Sequence, residues 1–414
     1  MVFGDDVVIF SDKYVNYSRT IETEIAWARW FRKAVLNSAN QIYGAESWIL
    51  KYPNRVYLDS HCQQPIPISI PLPGRIRVHR VAVALGAYEA CRAYFGGVSL
   101  GSLIVHSGIE AHEHYARPFR IGHVNRAKGF VHVFEDFTLN AVLRELDTVS
   151  DFVAYLSKRE QLLSKKRPVV VAAGDEQLLA IYLTHLNPER EHDFVLPDEG
   201  QDAVYLDESF WIGMVQNPQY VAKKHEEAPS YAWDRLIEHF IKHGGAYDET
   251  GQRRREPSDL EWGLRLMAAE PRIRRRQLAY ALVHLLENTP VGKPATRLVY
   301  SNDFAEKVYV FIVLPQLESQ DCDEYRKHRK VLLLAYCKVA KLVCPGANYV
   351  IGIATGNLGM KGISEDLVAL DVREWTSEMK EEAEWIQKTA SLLLGENITR
   401  TEGRTLEWPD VANR

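Results

Sequence analysis

The stretch Gly4-Asp5-Asp6-Val7-Val8-Ile9-Phe10-Ser11-Asp12-Lys13 decides the fold of the front half of this chain. Gly4-Asp5-Asp6 is a turn signal, and the β-branched run after it reads as a strand that ends in polar residues. Met1-Val2-Phe3 reads as the stub of a preceding strand, so the two make a hairpin. A fold seldom begins halfway through a hairpin, so a longer first strand upstream of Met1 is expected. Downstream, Ile25, Ala28, Trp30, Phe31, Val35, Ala39, Ile42, Ala45 and Ile49 recur at spacings of three and four, which predicts a long helix over 22–50. Lys51-Tyr52-Pro53-Asn54 stops it. Residues 56–58 and 76–85 then read as strands separated by a proline-rich connector over 65–73. A strand, a long helix and a second apolar strand make a βαβ unit with a right-handed crossover, so the front half is expected to be α/β.

Outward from there, the pattern predicts a short helix at 87–95, strands at 102–105 and 131–134, and a helix over 138–163. Ser164-Lys165-Lys166-Arg167-Pro168 reads as a linker. The expected division is therefore 1–165 as an α/β domain, 166–290 as a mainly helical connecting region, and 291–414 as an α+β module. In that last segment strands, helices and strands follow in ββαββα order.

Composition excludes several classes. Of 414 residues, 46% are hydrophobic and 25% charged, which is globular rather than disordered usage. No apolar run approaches the ~18 residues of a bilayer span, and the first residues lack a secretory pattern. No membrane association is expected. The five cysteines fall in no metal-ligand spacing and fit a reducing, cytoplasmic setting. The net charge of −5 is unevenly spread: residues 1–165 carry 19 Lys+Arg against 16 Asp+Glu, leaving −8 for the remainder. A mildly positive front half permits a polyanion partner, DNA or RNA, and the acidic rear half permits a protein partner.

The hairpin, the Ser11-Asp12-Lys13 end of its second strand and the long helix carrying Gln41 together resemble the restriction-endonuclease-like PD-(D/E)xK superfamily over about the first 85 residues. The resemblance implies a nuclease-like α/β domain with phosphodiester cleavage in bacterial defence or DNA processing. It implies Mg²⁺ held by acids, and a lysine that positions the attacking water. Carried onto this sequence, Lys13 takes the lysine's place, Asp12 is the first metal ligand, and Asp6 or Asp5 in the turn is a second. The pattern departs from the family in three respects: the preceding strand has only Met1-Val2-Phe3 where the family's first aspartate lies, the helix with the family's first acidic residue is missing, and the lysine's face lacks an acid. Side chains alternate along a strand, so a lysine shares its face with the residue two before it, which here is Ser11 and not an acid. Strand capping by Asp12 and Lys13 is the competing explanation.

Five further features are candidates for chemistry. Arg253, Arg254, Arg255, Arg274, Arg275 and Arg276 belong to the strongest basic cluster, and guanidinium forks suit phosphate oxygens, so these six are the expected nucleic-acid contacts. A salt-bridged helix surface is the alternative. His106, His112 and His114, with Glu110 and Glu113, are ligand types for Zn²⁺ and open a weaker metal-dependent hydrolase alternative. Gly97-Val98-Ser99-Leu100-Gly101 matches a hydrolase nucleophile pattern in the wrong strand–helix order and reads as a helix cap. Glycines 352, 356, 359 and 362 follow a strand without matching a phosphate-loop spacing, and read as a wide loop. Glu135-Asp136 opens a helix, with Asp136 or Thr138 as its N-cap. The sequence is silent on oligomeric state.

Overall fold

The structure is a computed structural model, and it describes all residues except 67, 73, 97–99, 189, 197–200, 244–257, 317–319, 359–364, 395–398, 400–404 and 410–414. The chain forms two compact units, 1–221 and 222–414.

The first unit begins with the expected hairpin, β1 (Val2–Phe3) and β2 (Asp6–Tyr14), followed by α1 (Thr23–Phe31) and α2 (Asn37–Lys51). β3 (Arg77–Leu85) returns parallel to β2. Then come α3 (Tyr88–Tyr94), β4 (Ile104–Glu110), β5 (Arg120–His123), β6 (Val131–Phe134), α4 (Asp136–Glu145) and α5 (Val149–Ser164). β7 (Val169–Ala172), α6 (Asp175–Thr184), β8 (Ala203–Leu206) and α7 (Ser209–Gln216) complete it. One sheet has the order β1-β2-β3-β6, with β2, β3 and β6 parallel. A second has the order β5-β4-β7-β8. Trp27, Trp30, Phe31 and Ile42 of the helix pair pack on Ala82, Ala84, Val131 and Val133. The other face of the first sheet meets α5, where Phe152 stacks on Phe10 at 6.3 Å.

The expected mixed α/β class and the βαβ unit are present. The expected boundary at 165 falls inside this unit, because β7, just past the supposed linker, pairs antiparallel with β4. Three elements differ from expectation. The helix over 22–50 is interrupted by a π turn at Arg32–Leu36, which hands the buried stripe from Trp27, Trp30 and Phe31 to Ala39, Ile42 and Tyr43. The helix over 138–163 is two helices, because Thr148 caps α5 by accepting from the Asp151 amide at 3.1 Å. The strand at 56–58 is reduced to a single bridge between Tyr57 and Pro65.

The division between units falls within α8 (Pro218–Glu227). The second unit continues with α9 (Tyr231–His243), α10 (Ser258–Ala268) and α11 (Arg272–Asn288). β9 (Ala295–Val299), β10 (Lys307–Val313), α12 (Cys322–Val343), β11 (Tyr349–Thr355), β12 (Asp366–Asp371) and α13 (Ser377–Ala390) then realise the ββαββα order. The sheet order is β12-β11-β10-β9, with β10 and β11 parallel. β10 alternates Tyr309, Phe311 and Val313 toward α9–α11 with Val308, Val310 and Ile312 toward α12. Gly352 is glycine because α12 lies against it: a Cβ there would sit 2.4 Å from Cys337 Sγ.

Candidate functional site

β2 pairs with β3 in unbroken register from Asp6 opposite Arg77 to Tyr14 opposite Leu85. Nothing reorients a side chain along it, so Asp12 and Lys13 point to opposite faces. Asp12 is exposed, while Lys13 is half-buried and shares its face with Ser11. The Ser11 hydroxyl donates to Oε1 of Gln41 at 3.1 Å, so strand and helix meet at these two residues. They meet without a carboxylate.

The acids expected to hold Mg²⁺ do not fit it. Asp6 lies six residues before Asp12 on the same strand, about 20 Å away at 3.3 Å per residue, so they share no ion. Both Asp6 oxygens are occupied: Arg77 donates from Nε at 2.8 Å and from a terminal nitrogen at 2.6 Å, and His79 Nε2 lies at 2.9 Å. Burial raises the Asp6 carboxyl, but the hydrogen bonds from Arg77 and His79 outweigh it and hold it at about 2. Asp5 pairs with Arg75 at 3.1 Å. Among the described residues no group of three or more His, Cys, Asp or Glu is placed to hold a metal ion.

The histidine segment is likewise not a ligand set. β4 runs through His106 to Glu110, and a 3₁₀ turn follows over Ala111–Ala116. His114 is buried and stacked on Phe31 at 4.7 Å. Its Nδ1 donates to the Ala111 carbonyl at 2.9 Å and its Nε2 accepts from the Gly122 amide at 3.0 Å, so neither nitrogen is left for a metal. His106 Nδ1 accepts from the Gly108 amide, and His112 is exposed.

The arginine cluster splits. Arg253, Arg254 and Arg255 lie outside the described residues, as do Gly97, Val98, Ser99, Gly359 and Gly362. Arg274, Arg275 and Arg276 are 1%, 7% and 6% exposed, too enclosed for phosphate contact. Arg275 pairs with Asp234 and donates to the carbonyls of Glu270 and Ala268. Arg274 lies over the rings of Phe304 and Tyr309, and Arg276 donates to the Leu406 carbonyl. These side chains build the second unit and are not an interface.

A different cationic surface is present in the first unit. Arg29, Arg32 and Lys33 are exposed on one side of α1 and the π turn, opposite the buried Trp27, Trp30 and Phe31. Asn37, Asn40 and Gln41 continue that exposed side, and Gln41 reaches Ser11 beside Lys13. Among the described residues none of the three cations makes an ion pair, and Arg32 rests over the Tyr115 ring at 5.8 Å. The signal is legible in hindsight: no Asp or Glu occurs from Ile25 to Ala45. Comparison with family models, curated proteins and solved structures finds no match for this chain.

Two further carboxyls are buried in the first unit, Glu135 and Glu176, and only the first is singled out by the sequence. Glu135, and not Asp136 or Thr138, is the N-cap of α4, accepting from the Phe137 and Thr138 amides at 2.9 Å each. Burial pushes it up to about 6. Glu176 is fully enclosed near Glu135 and Asp175, and burial pushes it up to about 8.

Proposed function

We propose that the chain associates with nucleic acid through the exposed side of α1 and α2, and that its first unit is a diverged domain of the restriction-endonuclease-like PD-(D/E)xK kind. The observation that carries the proposal is a helical surface with no Asp or Glu from Ile25 to Ala45, on which Arg29, Arg32 and Lys33 make no ion pair among the described residues, running through Asn37 and Asn40 to Gln41. Unpaired cations on a rigid helix track a phosphate backbone, and amides beside them add hydrogen bonds to phosphate or sugar. The hairpin–helix–parallel strand topology and the Ser11–Gln41 contact support the family likeness. The described residues supply no carboxylate beside Lys13, so association without phosphodiester cleavage is the activity proposed.

The test incubates the whole chain with labelled single- and double-stranded DNA and RNA at low and physiological salt, with Mg²⁺ and with EDTA. Binding that weakens steeply with salt, without cleavage in either buffer, is the expected result. Absence of binding at low salt overturns the nucleic-acid proposal, and Mg²⁺-dependent cleavage overturns the non-cleaving part. A second class of function, binding of a protein partner, is favoured by one feature of α13 in the second unit. That helix exposes Glu378, Glu381 and Glu382 beside Trp385, which is 66% exposed. Failure of all nucleic-acid binding puts it first.

A further inference from the structure

The cationic side of α1 continues onto the turn between β4 and β5, where aromatic rings are set among the guanidinium groups. Trp27 donates from Nε1 to the His114 carbonyl at 2.6 Å and Phe31 stacks on the His114 ring, so α1 is fastened to the 3₁₀ turn over Ala111–Ala116. Tyr115 of that turn meets Phe31 edge-on at 5.6 Å and carries Arg32 over its ring at 5.8 Å. Arg117 follows and is exposed. Burial lowers the His106 imidazole, and Arg117 and Arg120 lower it further, which puts both guanidinium groups near that ring. Arg120 in turn lies over the Phe95 ring at 5.9 Å, and Phe95 meets Tyr94 edge-on at 5.0 Å. Cations and rings thus interleave from Arg32 to Tyr94.

Nothing described cancels the charge of this surface. Among the described residues Arg29, Arg32, Lys33, Arg117 and Arg120 make no ion pair. The two carboxylates nearest in sequence are engaged elsewhere: Glu110 holds Arg126, and Glu113 accepts from the Glu110 amide at 3.0 Å. Tyr94 is 44% exposed although it is held from behind, tilted against Phe119 at 5.1 Å as well as against Phe95. Phe119 is buried at a φ of +58°, a left-handed backbone that bulky residues rarely adopt, so the turn is strained where it supports the exposed ring.

We propose that this surface takes single-stranded nucleic acid in preference to a duplex, with one unpaired base stacked on Tyr94, another against Tyr115, and the phosphates between them on Arg32, Arg117 and Arg120. The preference rests on the nucleic-acid reading of the α1 surface and deepens it to one form of the polymer. A duplex covers each base face with its neighbours and offers a protein only edges and phosphates, so exposed rings add nothing to its binding. An unpaired strand offers base faces to the rings and phosphates to the guanidinium groups together.

The whole chain is titrated in EDTA, at low and at physiological salt, into labelled oligo-dT and oligo-U of about twelve nucleotides and a duplex of the same length. A single strand is expected to bind at least about tenfold more tightly than the duplex. The two strands cover both sugars, and tight binding of either one supports the proposal. Tyr94→Leu keeps an apolar side chain against Phe95 and Phe119 but removes the aromatic face. It is expected to lower single-strand affinity about tenfold with the salt slope and the duplex affinity unchanged, while Tyr94→Phe binds as the native chain does. Tyr115→Leu against Tyr115→Phe repeats the comparison at the second ring, so the result does not hang on one variant folding. Equal binding of strand and duplex, or leucine variants that bind single strands as tightly as the native chain, overturns the preference and leaves the nucleic-acid reading of α1 standing. Absence of binding to every form at low salt overturns both.

Discussion

Two helices of this protein carry arginine-rich turns, and they use them in opposite ways. In α1 and its π turn, Arg29, Arg32 and Lys33 fall within about 100° of the helix circumference, so all three stand on the solvent side while Trp27, Trp30 and Phe31 fill the other. In α11, Arg274, Arg275 and Arg276 are consecutive and span about 200°, so they cannot all reach water. The second unit surrounds them with Asp234, Glu270 and the rings of Phe304 and Tyr309. Spacing, not arginine content, separates a surface that can meet phosphate from a core that consumes its own charge.

The sharpest way to break that contrast is to remove a buried guanidinium. Arg275→Ala leaves Asp234 short of a partner and the carbonyls of Glu270 and Ala268 without donors. Asp234 is part-exposed and keeps Arg272, so losing the buried Arg275 with its three contacts costs about 2–4 kcal/mol. Thermal unfolding should record a fall of roughly 10 °C for a unit of this size, with nucleic-acid affinity of the still-folded protein unchanged. A fall below about 1 kcal/mol would place Arg275 on the surface after all.

A buried charge without a counter-ion should behave in the reverse sense. Glu176 has Glu135 and Asp175 as neighbours, and burial raises its folded pKa from 4.5 to about 8. The folded carboxyl therefore keeps a proton that the unfolded chain releases above pH 4.5. Its contribution makes stability fall as pH rises from about 4.5 to 8, and stay low above that. Glu176→Gln removes this slope and should stabilise the protein at pH 9 by on the order of 3 kcal/mol, with little effect at pH 4. A variant no more stable at pH 9 than the native chain would sink the assignment.

Asp6 gives the smaller effect of opposite sign. Its folded pKa of about 2 lies below the ordinary 3.8, so its stabilisation is complete above pH 3.8 and is lost as pH falls toward 2. Asp6→Asn should cost about 1–2 kcal/mol at pH 6 and almost nothing at pH 2. Denaturation by urea at both values distinguishes this from a role in metal binding, which predicts a Mg²⁺-dependent melting temperature.

How much of this was legible in the sequence follows from which interactions are local. The hairpin, the βαβ unit and the ββαββα order were readable because turn residues and apolar period are local signals. The break between α4 and α5 was missed because Thr148 ends one periodic run and starts another without disturbing the apolar spacing. The boundary at 165 was misplaced because pairing of β7 with β4 joins residues more than sixty apart, which no linker composition reports. The site residues fared worse for the same reason. That Asp12 and Lys13 diverge follows from strand alternation alone, whereas capture of Asp6 by Arg77 and His79 depends on the parallel return of β3. The burial of Arg274–Arg276 was half legible: three consecutive positions on a helix preclude a common solvent face, whatever their charge.

The smallest effect on stability is the one that matters most for function. Replacing Arg29, Arg32 and Lys33 together by alanine removes three exposed cations that make no ion pair among the described residues, and alanine is the better helix former. The unfolding free energy should therefore change by less than about 0.5 kcal/mol per site. If those cations neutralise phosphates, the slope of log affinity against log salt should drop by roughly 2–3, near 0.7–0.9 per lost contact. The same triple change is thus nearly silent in a melting curve and loud in a salt titration, the inverse of Arg275→Ala. Should affinity and slope both survive the triple change, the unpaired helix surface is not where the polyanion sits, and the contrast between the two helices would be one of packing alone.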